Sequence, residues 1–201
     1  MTVSAPDPIV SDADRRRDVI VAAAARLFDE RGYASTSMRQ IADAVEIAKP
    51  TLYHYFRSKD AILFQIHEEF IDILLGKFAE RSCSGPTHRD ALVGAMGDIL
   101  SLMESHRGHV RAFFEHHREL PVAQQELIRD KRDRYEGLLV ELLREGARCG
   151  ELEVQHPRLT ALGIFGMCNW AYQWYSRGGP LRPVEIAEQF GAVVLGGIAR
   201  S

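Results

Sequence analysis

Side chains that can contact nucleic acid are concentrated in one short stretch, where Lys49, Thr51, Tyr53, His54 and Lys59 fall within eleven residues. Ammonium, hydroxyl and imidazole groups donate hydrogen bonds to phosphate oxygens and base edges. The sequence contains no paired-carboxylate, Cys/His or phosphate-loop motif that would indicate catalysis. We therefore expect DNA recognition rather than enzymatic chemistry, and no cofactor.

The elements that must position these side chains follow each other in the order of a helix-turn-helix, from Ile41 to Leu63. A first helix with an apolar face is expected to end near the turn at Glu46 and Ile47. The recognition helix is expected over Lys49–Tyr55, because Pro50 is compatible only with its first turn. Its polar N-terminal end would meet the bases in the major groove.

Helical periodicity extends through nearly the whole chain, and almost no alternation of apolar and polar residues indicates strands. The pattern predicts an all-α fold, with an N-terminal three-helix helix-turn-helix head and a larger C-terminal helical ligand-binding and dimerisation bundle. We expect a disordered arm over 1–14, the DNA-binding domain over 15–60 and the ligand-binding domain over 61–201. The expected helices cover 15–31, 37–45, 49–55, 58–81, 87–105, 108–119, 121–148, 157–177 and 183–199.

The charge distribution agrees with DNA contact at one end of the molecule. Residues 15–59 carry nine Lys/Arg and five Asp/Glu, a net charge of +4, whereas the whole chain is −3 and the remainder is therefore −7. No apolar run approaches the roughly 20 residues that span a bilayer, and the N-terminus lacks the apolar core of a signal peptide. Three cysteines without metal-like spacing indicate reduced thiols, so we expect a cytoplasmic protein without membrane contact.

The stretch Phe28–Leu63, FDERGYASTSMRQIADAVEIAKPTLYHYFRSKDAIL, resembles the TetR family of transcriptional regulators. The resemblance implies a homodimer that binds an inverted-repeat operator in double-stranded DNA. Two positions depart from the family pattern: Glu46 stands where Gly is common, and Ala48 stands where a capping Ser or Thr is frequent. By position, the resemblance implies DNA contacts from Thr36, Ser37, Arg39, Lys49, Pro50, Thr51, Tyr53, His54 and Lys59.

The segment Gly163–Leu181 carries the second signal, since Trp170 and Trp174 are four residues apart and would share one face of a helix with Met167. That face either lines a pocket or packs in the core or at a dimer interface. The segment resembles TetR-family members that sense acyl-CoA thioesters in fatty-acid or steroid degradation, which implies an elongated hydrophobic pocket. The candidate ligand-binding residues are Phe113, Tyr135, Phe165, Met167, Trp170, Trp174 and Arg177, and the candidate phosphate partners are Arg111, Arg118, Arg144, Arg148 and Arg177.

The leading hypothesis is a DNA-binding repressor that a hydrophobic small molecule, such as an acyl-CoA, releases from its operator. The alternatives are a regulator that responds to another aromatic or lipophilic compound, a ligand-independent DNA-binding protein, and an enzyme built on a helical bundle. A filled core in the body would favour the ligand-independent protein. His106, His109 and His116, with Glu115, have no spacing that fixes metal geometry, so we expect no metal site.

Overall fold

The computed structural model describes residues 11–198, and side chains as far as residue 196. This part of the chain is all-α, as predicted, and contains no β-strand. Its helices are α1 Asp12–Arg31, α2 Met38–Ala44, α3 Lys49–Tyr55, α4 Lys59–Cys83, α5 His88–Ser105, α6 Arg107–Glu115, α7 Val122–Arg148, α8 Pro157–Trp170 and α9 Pro183–Ile198, with 3₁₀ turns at His117–Glu119 and Ala171–Gln173.

The head consists of α1, α2 and α3 around a small apolar core that includes Phe28, Ile41 and Leu52, all buried. Ser37 caps α2 through the reciprocal capping box predicted by its spacing to Gln40. The cap fixes where α2 begins, and the buried faces fix how α2 and α3 cross. The helix-turn-helix expected from the sequence is therefore formed.

The body is built around α5, which contacts α4, α7, α8 and α9. Leu92, Met96 and Leu100 are almost completely buried on α5 because other helices surround it. The 25-residue α4 contacts α1 at the head and α5, α6 and α7 in the body. A shift of α4 therefore moves parts of both regions.

Three helix ends differ from the expectation by three or more residues. The first helix begins at Asp12 rather than Arg15, because the Ser11 hydroxyl accepts the Asp14 N–H and caps it. The last three residues of the expected disordered arm are thus helical, and residues 1–10 of that arm lie outside the described residues.

The other two differences are early helix ends in the body. α6 ends at Glu115, where the chain tightens into the 3₁₀ turn at His117–Glu119, so 108–119 is not one helix. α8 ends at Trp170 and a second 3₁₀ turn follows, so the expected helix to residue 177 is wrong. The second difference decides where the two tryptophans lie.

Candidate DNA interface and effector cavity

The recognition helix α3 is held by its apolar side and presents its polar side to solvent. Leu52 and Phe56 are buried in the head, whereas Tyr53 is 43% exposed. Lys49 stands beside Tyr53, with its ammonium nitrogen 5.9 Å from the ring centroid. The predicted DNA-contacting residues that lie exposed on α3 are Lys49, Pro50, Thr51, Tyr53 and His54.

The turn before α3 contains the two residues that depart from the pattern described above, Glu46 and Ala48, and it shows the local effect expected of each. Glu46 adopts a φ of 54°, in the left-handed region where glycine is the usual residue. The Ile47 N–H closes the turn by donating to the Ala42 carbonyl at 3.0 Å. Ala48 occupies the N-cap position of α3 and supplies no side-chain hydrogen bond. The turn therefore stores local strain and leaves the first N–H groups of α3 without a side-chain cap.

Two of the predicted contact residues have structural partners. Thr36 is only 2% exposed and its hydroxyl donates to the Gly32 carbonyl at 2.9 Å, so this side chain is not at the surface for the predicted DNA contact. The Lys59 ammonium donates to the carbonyls of Tyr33 and Thr36 at 2.7 and 2.9 Å. Lys59 therefore fixes the chain between α1 and α2 and remains half-buried at the head surface.

The other two predicted residues lie at the start of α2. Ser37 is exposed, but its hydroxyl is already engaged with Gln40 in the capping box. Arg39 is exposed and its guanidinium lies 3.9 Å from the Asp43 carboxylate, a weak pair at the surface. Of these two side chains, only that of Arg39 is free to reach towards a phosphate.

A cavity of about 230 Å³ lies in the body between α4, α5, α6, α7 and α8. Its walls are mostly aromatic and aliphatic, and the rings of Phe70 and Phe113 are 4.3 Å apart. Its volume suits a compact group rather than the long ligand of an elongated pocket. The lining residues are Phe70, Ile71, Leu74, Ile99, Phe113, Phe114, Arg132, Asp133, Tyr135, Glu136, Leu162, Phe165 and Asn169.

Charged residues of α7 stand at the opening of this cavity. Arg132 and Asp133 are exposed, and the Arg132 guanidinium lies 6.0 Å from the centroid of the Phe113 ring. Glu136 is already paired with Arg158 at 2.8 Å. Arg132 was not among the arginines singled out from the sequence, because only the packing of α7 shows which of its residues border the cavity.

Three of the predicted ligand-binding residues, Phe113, Tyr135 and Phe165, line the cavity together. The other four do not. Trp170 and Trp174 are 64% and 48% exposed and lie outside the cavity, since α8 ends between them and they no longer share a helix face.

Met167 and Arg177 also do not line this cavity. Met167 is half-buried elsewhere on α8. Arg177 is exposed and borders a separate polar groove between the head and the body, which Asp18 and Arg26 also line.

The outer surface of α8 and α9 is apolar in the single subunit. Leu159, Leu162 and Trp170 are exposed on α8, and Val184 and Val193 are exposed on α9. An apolar surface of this kind marks a protein–protein contact. The exposed Trp170 fits the alternative in which its helix face packs at a dimer interface.

The head and the body meet where α6 packs on α1. A Cβ atom at Gly108 would lie 2.6 Å from the Ala25 carbonyl oxygen, so only glycine allows the two backbones to approach this closely. Beside this contact, Asp29 accepts a hydrogen bond from Arg111 at 2.7 Å and lies 3.4 Å from Arg107. The same helix, α6, therefore carries cavity residues and touches the head.

The side chains between residues 11 and 196 include no cluster of three or more His, Cys, Asp or Glu that could hold a metal ion. His109 is instead paired with Glu69 at 3.1 Å. In the same part of the chain, no helix is long and apolar enough to cross a membrane.

Two family profiles match this chain. The profile described as "Bacterial regulatory proteins, tetR family" matches residues 20–66, which include the helix-turn-helix. The profile described as "Tetracyclin repressor-like, C-terminal domain" matches residues 85–198, more than half of the chain. The two matches cover the head and most of the body.

Individual relatives match over nearly their full lengths. The HTH-type transcriptional repressor KstR2 of Mycolicibacterium smegmatis is 27% identical over 199 residues, 98% of this chain and 97% of the relative. The structure of the ketosteroid transcriptional regulator KstR2 of Mycobacterium tuberculosis has a TM-score of 0.84 at 27% identity, covering 92% and 96% of the two chains. AibR in complex with isovaleryl coenzyme A and operator DNA has a TM-score of 0.79 at 26% identity, covering 89% and 97%.

Proposed function

Because this chain belongs to the TetR family of bacterial regulatory proteins, we propose that it is a dimeric transcriptional repressor that an acyl-CoA thioester releases from operator DNA. The observation that carries the effector proposal is the apolar cavity with Arg132 at its opening. The acyl group would enter the cavity, and the CoA phosphates would remain outside, within reach of the guanidinium. The relatives named as repressors, and the AibR complex with isovaleryl coenzyme A, support the proposal.

On the DNA side, we assign base and phosphate contacts to the exposed residues of α3 and to Arg39 of α2. Lys49, Thr51 and Tyr53 lie at the N-terminal end and outer face of the recognition helix, where helix-turn-helix proteins meet base edges. Pro50 and His54 border the same surface, and Ser37 and Lys59 position the backbone beside it. The domain boundary would fall within the first turn of α4, near residue 60. The protein would act in the cytoplasm, where its operator lies, as a regulator and not as an enzyme.

Communication between the two sites would run through α4 and α6. Phe113 lines the cavity from α6, and the same helix holds Asp29 of the head through Arg107 and Arg111. A ligand that prefers one position of α6 would shift the spacing of the two heads in the dimer. Such a ligand can lower operator affinity by no more than the ratio of its affinities for the two arrangements of the heads.

The test is a titration of isovaleryl-CoA and cyclohexanecarboxyl-CoA against the protein bound to an operator selected from random DNA. We expect both to weaken operator binding, and we expect Arg132→Gln to require a higher CoA concentration for the same effect. Arg134→Gln is the matched control, because Arg134 is exposed on the same helix but does not border the cavity. Failure of every acyl-CoA, with release by an aromatic drug, would overturn the effector class and leave the repressor.

A further inference from the structure

The hydroxyl of Tyr135 is a polar group on a buried residue in the wall of a largely aliphatic and aromatic cavity. Tyr135 lines the cavity and is only 4% exposed. Its ring packs against Phe165, with centroids 5.7 Å apart, and edge-on against Phe78 at 6.2 Å. These contacts fix the ring, yet among the side chains described as far as residue 196 none forms a hydrogen bond with the hydroxyl. The buried atoms that lack a partner do not include this hydroxyl, so it is open to water-sized space.

The side chains whose charges affect the pKa of Tyr135 are already engaged or weak hydrogen-bond partners. The Asp98 carboxylate, whose charge helps to raise the pKa of Tyr135, is paired with Arg81 and lies 3.7 Å from the Lys77 ammonium. Arg81 also donates to the Gly94 carbonyl at 3.1 Å. The fully buried Cys168 thiol is a poor hydrogen-bond partner. The hydroxyl is therefore an unused donor on a residue of the cavity wall.

The ionisation state of Tyr135 is clear from its surroundings. Burial, and then the charge of Asp98, raise the pKa of Tyr135 above its ordinary value of about 10. The phenol stays protonated at neutral pH and offers a proton to an acceptor. A ketone or hydroxyl oxygen on a ligand can accept this proton.

We propose that the effector carries an oxygen, as a ketone or a hydroxyl, on the part of its acyl group that enters the cavity, and that Tyr135 donates a hydrogen bond to this oxygen. The inference rests on the proposed function, because it assumes an acyl-CoA in this cavity. The cavity has a volume of about 230 Å³. That size suits a short branched or single-ring acyl group with one inner oxygen.

The test compares two acyl-CoAs that differ at one position of the ring, cyclohexanecarboxyl-CoA and 4-oxocyclohexanecarboxyl-CoA, by calorimetry on the full-length protein. The wild-type protein should bind the keto compound about tenfold more tightly, the effect of one buried hydrogen bond. Tyr135→Phe should abolish the preference and leave the affinity for the plain compound within about twofold of wild type. Tyr175→Phe, outside the cavity, should keep the preference.

The outcomes separate the two proposals. Equal binding of the two compounds to wild-type protein, or a preference that survives Tyr135→Phe, overturns the assignment of Tyr135 while the acyl-CoA effector stands. Binding of neither ring compound overturns the assignment of Tyr135, and failure of isovaleryl-CoA as well overturns the acyl-CoA effector. Two further measurements test the proposal if Tyr135→Phe folds poorly.

The first is the infrared stretch of the ketone in isotope-labelled 4-oxocyclohexanecarboxyl-CoA. This band should move to lower frequency when the compound binds to wild-type protein, and an unmoved band contradicts the hydrogen bond.

The stability of the unliganded variant gives the second independent check. Removing a hydroxyl that has no partner leaves no other group unpaired, so Tyr135→Phe without ligand should unfold at the same urea concentration as wild type or a higher one. A lower midpoint would mean that the hydroxyl already has a structural partner, and the inference would fail.

Discussion

The recognition helix and the cavity wall use their side chains in opposite ways. On α3, Leu52 and Phe56 hold the helix, while Lys49 and Tyr53 face solvent and take no part in the core. In the cavity wall, Phe113 is itself a buried core residue and also a lining residue. Packing and binding are therefore separable in the head and combined in the body.

The largest expected effect comes from truncating a cavity residue. Phe113→Ala removes a ring that contacts Phe70 and Phe114, and should lower the free energy of unfolding by about 3–5 kcal/mol. Acyl-CoA binding should be lost with it. Urea denaturation followed by circular dichroism measures the first effect. A loss below about 1 kcal/mol would show that the wall closes over the gap, and the contrast with the head would weaken.

A second prediction concerns a histidine behind the cavity wall. Burial lowers the pKa of His67 from 6.5 to about 4, although its Nδ1 contacts the Leu63 carbonyl at 2.8 Å. Since the unfolded chain binds this proton more readily, stability is present above pH 6.5 and is lost as pH falls from there towards 4. From pH 7 to pH 5, the free energy of unfolding should fall by about 2 kcal/mol from this group.

Urea unfolding at the two pH values checks the effect, and His67→Phe is the variant that should remove most of it. His116 and His117, near the same surface, also have lowered pKa values from burial and add to the acid sensitivity in the same direction. An unchanged pH dependence in the variant would assign the acid sensitivity to those neighbours.

The head should behave differently when an exposed residue is changed. Tyr53→Ala should weaken operator binding about tenfold, the magnitude of one lost contact, and leave the melting temperature almost unchanged. Fluorescence anisotropy with labelled operator gives the first quantity and calorimetry the second. Unfolding of the head by this variant would mean that Tyr53 supports the core, and the separation of packing from binding in the head would be wrong.

The smallest effect is expected at the turn between α2 and α3. Glu46 adopts a φ of 54°, which is strained for a residue other than glycine. Glu46→Gly removes this strain and should raise the free energy of unfolding by up to about 1 kcal/mol. Asp43→Gly is the matched control, because Asp43 lies in the regular helix α2 and the same change should destabilise there by roughly 0.5–1 kcal/mol. Destabilisation at both positions would show that the turn is not strained.

The head was predictable because its signals are local. The Ser37–Gln40 capping box, the turn at Glu46 and the uncapped start of α3 each depend on residues within a few positions of one another. Thr36 was predicted as a DNA contact, and the sequence did not show that its side chain is buried. Its burial depends on the carbonyls of Leu27 and Gly32, to which its hydroxyl donates.

The cavity was predictable only in part, because it is assembled from five helices far apart in sequence. Phe113, Tyr135 and Phe165 were named from the sequence as candidate ligand-binding residues, and all three border the cavity. Trp174 was misplaced because no residue marks the end of α8 at Trp170, where a 3₁₀ turn changes the direction of the chain. Arg132 could not be chosen among the arginines, since only the packing of α7 places it at the opening.

The central claim is that the cavity and the recognition helices are energetically coupled, and one reciprocal measurement tests it. The affinity of cyclohexanecarboxyl-CoA is measured on the protein alone and on the protein saturated with operator, beside the affinity for operator with and without the thioester. We predict that each ligand weakens the other by the same factor, roughly five- to 150-fold. Operator affinity that stays unchanged at saturating thioester would contradict the account.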